Sequence, residues 1–213
     1  SERIPLTVYQ TIEEKGGKSQ ITVCITALED VYFNYSQQVS TGFRHDDCQF
    51  YMPGFWYRRN LRSPKSAPSF HTSDSWLVRE DRLSTPLTGI YSEGEVILSG
   101  KTSLGFTGFE NRNGIATLSF GFPYQEAPKS YIRKLTLAPQ VKAFQLLKKG
   151  ETVLLNWTIY EDAAEDYSDF IRHTWEYCYD TYAPKPVDTP YSIADMKNTL
   201  SSFFVNSLVS KPE

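Results

Sequence analysis

The sequence lacks the features that mark several classes of protein. It has no long basic run, and 22 Lys and Arg residues against 25 Asp and Glu residues leave a net charge of −3. The basic surface that nucleic-acid binding requires is therefore not expected. No apolar run approaches the roughly 20 residues of a membrane-spanning helix. The chain is predicted to bind no nucleic acid and to have no membrane span.

Cysteine and histidine are also scarce. The three cysteines, Cys24, Cys48 and Cys178, are odd in number and widely spaced, which matches neither a disulfide framework nor a zinc cluster. They are expected to be buried free thiols, since free cysteine behaves as a small hydrophobic residue. The three histidines have no ligand spacing, and no G-x-S-x-G nucleophile motif is present. No metal ion or cofactor is predicted.

Aromatic residues and strand-like alternation are abundant instead. Aromatic residues make up 15% of the chain, and β-branched or aromatic runs alternate with polar residues up to about Tyr160. Gly16-Gly17 and Asn111–Gly114 have the composition of hairpin turns. Many short strands with regular turns favour a sandwich or barrel. We predict a mainly β fold, a large antiparallel β-sandwich over residues 1–160, with an irregular functional loop at Phe43–Pro68.

The hydrophobic period changes after residue 160 and becomes helical. A first helix is predicted after the acidic residues near Asp162 and before Pro184, and a second from Ser192, where Asp195 completes a capping box. Residues 161–213 are thus expected to be two α-helices, which act as a linker or as the start of an absent helical domain. Their apolar stripes need a partner, either the sheet or that further domain. The stripes are Tyr167, Phe170, Ile171, Thr174, Trp175, Cys178 and Tyr182 in the first helix, and Met196, Leu200, Phe203, Phe204, Ser207 and Leu208 in the second.

The segment Cys48–Asn60 is the first candidate for ligand binding. Trp56 and Tyr57 offer flat apolar faces, and Arg59 and Asn60 offer donors in fixed geometry. Sugars present C–H faces and rings of hydroxyls, so this mixture suits a glycan. The alternative is that the aromatic side chains form core and the arginines cover its edge.

The segment Trp76–Pro86 is the second candidate. Arg79 and Asp81 belong to a run of four charged residues that could orient a ligand or a neighbouring domain. The alternative is a set of ion pairs that closes a turn, which is a common structural feature. Glycosidases need two carboxyl groups about 5–10 Å apart, but the spacing selects no pair, so no catalytic residue is predicted. The carboxylates considered are Glu80, Asp81, Glu93, Glu95, Glu110 and Glu126.

Four segments, with the helix after them, share a pattern with a known family. They are Y-M-P-G-F-W-Y-R-R-N-L at Tyr51–Leu61, R-E-D-R-L-S-T-P at Arg79–Pro86, F-P-Y-Q-E at Phe122–Glu126 and L-L-K-K-G-E-T-V-L-L-N-W at Leu146–Trp157. With the helix at Phe170–Asp180, they resemble the N-terminal β-supersandwich domain, and its helical linker, of bacterial glycoside hydrolase-like proteins with an (α/α) toroid catalytic domain. The resemblance implies polysaccharide metabolism in a periplasmic or extracellular setting. In such families the general acid and its partner lie in the toroid.

Three functions are consistent with these features. The first is a non-catalytic accessory β domain of a secreted carbohydrate-active protein, which supports the catalytic domain and contributes Trp56, Arg59 and Asn60 to the glycan cleft. The second is an independent carbohydrate-binding module. The third is a structural domain whose helices dock another protein.

Overall fold

The computed structural model describes residues 4–58, 74–101, 105–127, 129–130, 137–185 and 187–208. The chain forms two compact units, one that ends at Cys178 and one that begins at Tyr179. The division falls inside the first helix and leaves its last four residues in the second unit. The first unit contains both main sheets and most of that helix.

The described chain is mainly β, as the sequence predicts. Strands alternate with tight turns as far as Ala163, and two α-helices follow. The strands are β1 Leu6–Lys15, β2 Lys18–Ala27, β3 Val31–Phe33, β4 Tyr35–Arg44, β5 Gln49–Met52, β6 Trp56–Arg58, β7 Ser75–Arg79, β8 Leu87–Ser92, β9 Glu95–Lys101, β10 Phe106–Arg112, β11 Ile115–Phe122, β12 Gln125–Glu126, β13 Lys129–Ser130, β14 Leu137–Ala138, β15 Val141–Lys142, β16 Gln145–Leu147 and β17 Thr152–Ala163; the helices are α1 Tyr167–Tyr182 and α2 Ile193–Phe203.

Two antiparallel sheets form the body of the first unit. The larger sheet has the strand order β1-β2-β17-β9-β8-β5-β6, and the smaller has the order β4-β11-β10-β7. Three further ladders of two strands each pair β12 with β15, β13 with β14, and β16 with β3. The hairpins at Gly16-Gly17 and Asn113-Gly114 join adjacent strands, and the glycines there have positive φ. The predicted antiparallel sandwich is confirmed.

The core lies between the two sheets. Alternate residues of β2 point inward, so Ile21, Val23 and Ile25 are at most 3% exposed. Across the core, Trp157 of β17 lies 5.2 Å from Phe120 of β11, measured between ring centroids. Large aromatic rings on both inner faces bury much apolar area, which is the dominant stabilising contribution in such a fold.

Helix α1 covers part of the outer face of the larger sheet. Phe170 is fully buried there, 6.2 Å from Tyr51 of β5 and 5.8 Å from Tyr91 of β8. Asp166 caps the helix by accepting hydrogen bonds from the backbone N–H groups of the third and second residues, at 2.8 Å each. The predicted stripe is wrong at two positions: Trp175 and Tyr182 are 61% and 37% exposed. Tyr177, which the stripe did not include, is buried.

Two sequence predictions about the middle of the chain need correction. The predicted irregular loop at Phe43–Pro68 begins with the end of β4 and contains the hairpin of β5 and β6, and its residues 59–68 lie outside the described part of the chain. Its four-residue and three-residue strands are too short for alternation to reveal them. The single predicted strand Val31–Ser36 divides at Asn34, whose side-chain amide donates to the carbonyls of Pro123 and Ala143. The first half, β3, pairs with β16, and the second half belongs to β4, which pairs with β11.

The second unit contains α2 and a π-helical turn at Phe204–Leu208. The predicted capping box is present: the Ser192 hydroxyl accepts from the N–H of Asp195 at 3.1 Å, and the Asp195 carboxylate accepts from the N–H of Ser192 at 3.1 Å. No residue of α2 is buried. No helix in the described residues is long and apolar enough to cross a membrane.

Candidate functional site

The candidate residues that the structure describes lie on two strands and one turn. Trp56 and Tyr57 belong to β6, an edge strand of the larger sheet, and Arg79 ends β7 of the smaller sheet. Asp81 lies in the 3-10 turn Glu80–Arg82 that follows β7. Arg59 and Asn60 lie outside the described residues, so their assignment stays a prediction.

Trp56 is a core residue. It is 1% exposed, and its ring lies 5.3 Å from Trp76 and 5.3 Å from Phe109. Its indole N–H donates to the carbonyl of Arg58 at 2.9 Å. A side chain this deeply packed has no face to offer a sugar, so the burial alternative raised by the sequence describes Trp56.

Tyr57, the next residue, points to the opposite side of the strand. It is 52% exposed, and its ring packs 5.5 Å from that of Tyr51. Its hydroxyl oxygen accepts from the backbone N–H of Gly54 at 3.4 Å. Phe55, at the hairpin turn, is 36% exposed. The hairpin therefore presents two aromatic side chains that a ligand can reach.

Arg79 and Asp81 form a bidentate pair at the end of β7. The Nε and one terminal nitrogen of Arg79 donate to the two carboxylate oxygens of Asp81, at 3.0 and 2.5 Å. The hydrogen bond from Arg79 holds the pKa of Asp81 below its usual range. Asp81 is therefore an ionised hydrogen-bond acceptor at neutral pH, in a fixed geometry.

Two further contacts connect this turn to the segment after β11. The guanidinium carbon of Arg79 lies 4.5 Å from the centre of the Tyr124 ring, a cation–π arrangement. One turn further on, Arg82 pairs with Glu126 at 2.9 Å. Sequence reasoning singled out both segments but did not predict that Tyr124 and Glu126 lie beside Arg79 and Arg82.

The β5–β6 hairpin contacts the segment that follows this turn. The backbone N–H of Ser84 donates to the carbonyl of Pro53 at 3.2 Å. Gly54 approaches Ser84 so closely that a Cβ atom at residue 54 would lie 2.9 Å from the Ser84 hydroxyl oxygen. Three of the four segments that carry the family resemblance are thus in contact. The fourth forms the end of β16 and much of β17, which pairs with β2 and β9.

Tyr167 of α1 holds the edge strand β6 in place. Its hydroxyl donates to the carbonyl of Phe50 and accepts from the N–H of Arg58, both at 2.9 Å. The guanidinium of Arg58 also lies over the Tyr167 ring, 5.1 Å from its centre. These contacts hold Arg58 at a φ of 54°, a conformation that costs energy in a residue with a side chain.

Tyr167→Phe should loosen this hairpin and change how stability depends on pH. Loss of the two hydrogen bonds should lower the free energy of unfolding by about 1–3 kcal/mol. Burial raises the pKa of Tyr167 to about 12, whereas an unfolded tyrosine titrates near 10. Its contribution is therefore complete below about pH 10 and is lost as the pH rises towards 12. Urea unfolding at pH 8, 10 and 11 should show a smaller alkaline loss in the variant than in the parent chain.

The buried carboxylates near this region are engaged in structural hydrogen bonds. Glu80 accepts from the N–H of Gly105 at 2.8 Å. Glu110 accepts from Gln38 at 3.0 Å and from Arg112 at 2.6 Å. Within the part of the chain that the structure describes, no group of three or more His, Cys, Asp or Glu residues is placed to hold a metal ion. Cys24, Cys48 and Cys178 form no disulfide bond with one another.

Comparison with known proteins gives no family. No family model matches the chain, and no curated protein matches it. Among solved structures, a protein from Escherichia coli K12 provisionally assigned as an aldose 1-epimerase is similar at 10% identity and a TM-score of 0.45. The match covers 74% of this chain and spans 60% of that protein. A likeness of this degree carries no conclusion, so the function must be argued from the site itself.

Proposed function

We propose that the chain is a non-catalytic, glycan-contacting accessory β domain of a secreted bacterial carbohydrate-active protein. The observation that carries the proposal is the contact among three segments. The exposed ring of Tyr57 lies on the hairpin that contacts Ser84, and Ser84 follows the turn that contains Asp81, the partner of Arg79. In this proposal Phe55, Tyr57, Arg79, Asp81 and Tyr124 together face the glycan, and we call them the loop surface.

The chemistry of the loop surface suits a sugar. The exposed rings of Tyr57 and Phe55 can cover the C–H face of a pyranose, because aromatic rings bury apolar area at a low entropic cost. Asp81, ionised and held by Arg79, can accept from sugar hydroxyls. The fixed fork of Arg79 keeps donors available at low cost, since its geometry is already set by Asp81 and Tyr124.

An accessory role fits the carboxylates better than a catalytic one. Glu126 is paired with Arg82, and Glu110 is bonded to Arg112, Gln38 and Ser75. A general acid needs a protonated carboxyl that faces the glycosidic oxygen, whereas these groups are bound to cationic or donor side chains. We therefore assign the chemistry to another domain of the same protein, as the family resemblance implies.

Calorimetric titration of the chain with a panel of neutral and acidic oligosaccharides tests the proposal. We expect one glycan class to bind, and Tyr57→Ala and Asp81→Asn each to weaken that binding by at least tenfold. Tyr9→Ala is the matched control, because Tyr9 is 69% exposed on the edge strand at the opposite end of the sheet. Equal affinity in all four proteins would overturn the role of the loop surface.

The same titration separates an independent module from an accessory domain. Saturable heat with the chain alone is expected of a carbohydrate-binding module. If the chain alone gives no binding heat, the accessory role requires that replacement of Tyr57 or Asp81 lowers the turnover of the polysaccharide by the full-length protein. Unchanged kinetics in those full-length variants would contradict it.

An interaction domain is the second candidate function, and α2 is the observation that favours it. Ile193, Leu200 and Phe203 are 55–72% exposed, and Phe204 is 53% exposed. An apolar stripe of this kind is typical of helices that dock on another protein or domain. Retention of glycan binding in a Leu200→Glu variant, with loss of a partner domain in co-purification, would support this role alongside the first.

A further inference from the structure

Strand β1 is a long edge strand of the larger sheet. Among the residues that the structure describes, it pairs with β2 alone, over ten consecutive residue pairs from Leu6–Ala27 to Lys15–Lys18 without a register shift. Val8 and Ile12 are 47% and 54% exposed, although they share the inward face of the sheet with Ile25 and Ile21. The edge is therefore extended, regular and partly apolar.

The hydrogen-bond pattern identifies which backbone groups of β1 point away from β2. The N–H of Leu28 donates to the carbonyl of Pro5 at 2.9 Å, so Pro5 and Leu28 form a hydrogen-bonded pair. The next pair along the ladder, Leu6 with Ala27, is therefore a non-hydrogen-bonded pair. Hydrogen-bonded and non-hydrogen-bonded pairs alternate along an antiparallel ladder. Every second residue of β1 therefore directs its backbone N–H and C=O groups away from β2. These residues are Leu6, Val8, Gln10, Ile12 and Glu14.

This edge has few of the devices that usually prevent pairing with another chain. Proteins protect sheet edges with short strands, bulges, proline or inward-pointing charges. Here β6 has three residues, β7 has five, and the ladder of β4 with β11 contains a register shift. Strand β1 has ten residues and no proline or glycine, and the one charge on its inward face, Glu14, lies near the end of the strand. An edge of this kind is a template for another strand.

We propose that β1 pairs antiparallel with β1 of a second copy of this chain, around a twofold axis at Gln10. In this register Gln10 lies opposite Gln10, Val8 opposite Ile12, and Leu6 opposite Glu14 of the second copy. The five residues of each copy whose backbone groups point away from β2 are then all paired, which satisfies their N–H and C=O groups. The two larger sheets become one continuous sheet across the axis.

The side chains are self-complementary in this register. Val8 and Ile12 of the two copies come together twice on the inward face, which buries apolar surface that each copy exposes alone. On the other face, Tyr9 lies opposite Thr11, and Thr7 lies opposite Glu13. No charged side chain faces one of like sign, because both acidic residues oppose uncharged ones.

Sedimentation equilibrium of the chain tests the dimer. We expect a concentration-dependent dimer whose dissociation constant rises at least tenfold in Ile12→Lys and in Gln10→Pro. The N–H of Gln10 points away from β2, so proline at residue 10 breaks no backbone hydrogen bond of the β1–β2 ladder. It removes only the 3.4 Å side-chain bond that Gln10 accepts from the Tyr35 hydroxyl, and circular dichroism should confirm that both variants are folded. Leu154→Lys is the control, because Leu154 is 57% exposed on β17, two strands from the edge. It should dimerise like the parent.

Cysteine cross-linking tests the register. Residues in a hydrogen-bonded antiparallel pair have Cα atoms about 5.5 Å apart, within the range of a disulfide. Gln10→Cys should therefore form a covalent dimer on mild oxidation. Val8→Cys should link only when it is mixed with Ile12→Cys, and the parent chain, with its three native thiols, is the background control.

A monomer at all concentrations would overturn the proposal. So would a dimer that persists in both β1 variants but disappears in Leu200→Glu, since association would then occur through α2. The dimer is independent of glycan binding: Tyr57→Ala should leave it intact, and Ile12→Lys should leave any glycan affinity unchanged.

Discussion

Trp56→Ala should lower the free energy of unfolding by about 3–5 kcal/mol, whereas Tyr57→Ala should lower it by less than about 1 kcal/mol. The two residues are adjacent on β6 and have opposite environments. Trp56 is 1% exposed between Trp76 and Phe109, so its removal leaves a large cavity in the core. Tyr57 is 52% exposed, and water can fill the space that it leaves.

Urea denaturation followed by far-ultraviolet circular dichroism measures both effects. Total stability of a domain is commonly 5–15 kcal/mol, so Trp56→Ala should shift the unfolding midpoint strongly, and it should leave a chain that is partly unfolded at 37 °C. Trp56→Phe is the intermediate control, since it keeps an apolar ring but loses the hydrogen bond from the indole to the Arg58 carbonyl. It should lie between the parent and the alanine variant.

The same pair of variants separates stability from recognition. Tyr57→Ala should shift the unfolding midpoint only slightly and should lose glycan affinity. If Trp56→Ala instead kept the midpoint and lost affinity, the packing of Trp56 against Trp76 and Phe109 would be refuted as a source of stability. The aromatic side chain that faces the ligand would then be Trp56, as the sequence first suggested.

The sandwich and its hairpins were predictable because they depend on local signals. The turn at Asn113-Gly114 requires positive φ at both residues, and Asn and Gly supply it. Alternation in β2 fixes which residues face the core. The face of Trp56 was not predictable, because β6 is only three residues long and each residue of the pair Trp56-Tyr57 is apolar enough to be the buried one.

The contacts that build the loop surface were beyond the reach of the sequence for a different reason. Arg79 and Tyr124 are 45 positions apart, and they meet because β7, β10 and β11 pair in that order within the smaller sheet. Pairing order depends on the competition between all possible strand partners, which no local pattern encodes. Reading the segments separately could identify the residue types but not their arrangement.

Gly108→Ala should disrupt the packing of β7 against β10 in the smaller sheet. Gly108 lies in β10 between Leu77 of β7 and Ser119 of β11. A Cβ atom there would overlap the carbonyl oxygen of Trp76 and lie 2.9 Å from the Cα of Leu77. Both are backbone atoms in a hydrogen-bonded ladder, so relief requires β7 to move. We expect a loss of about 3 kcal/mol or more, the upper range for overpacking.

Gly16→Ala is the matched control for this prediction. Gly16 has a φ of 57°, and a Cβ atom there meets nothing within 4 Å, so its substitution should cost only about 1 kcal/mol of backbone strain. Because β7 leads directly to Arg79 and Asp81, Gly108→Ala should also weaken glycan binding, while Gly16→Ala should not. A Gly108→Ala chain as stable as Gly16→Ala would show that β7 and β10 do not approach as closely as the ladder requires. The positions of Arg79 and Asp81 in the loop surface would then be wrong as well.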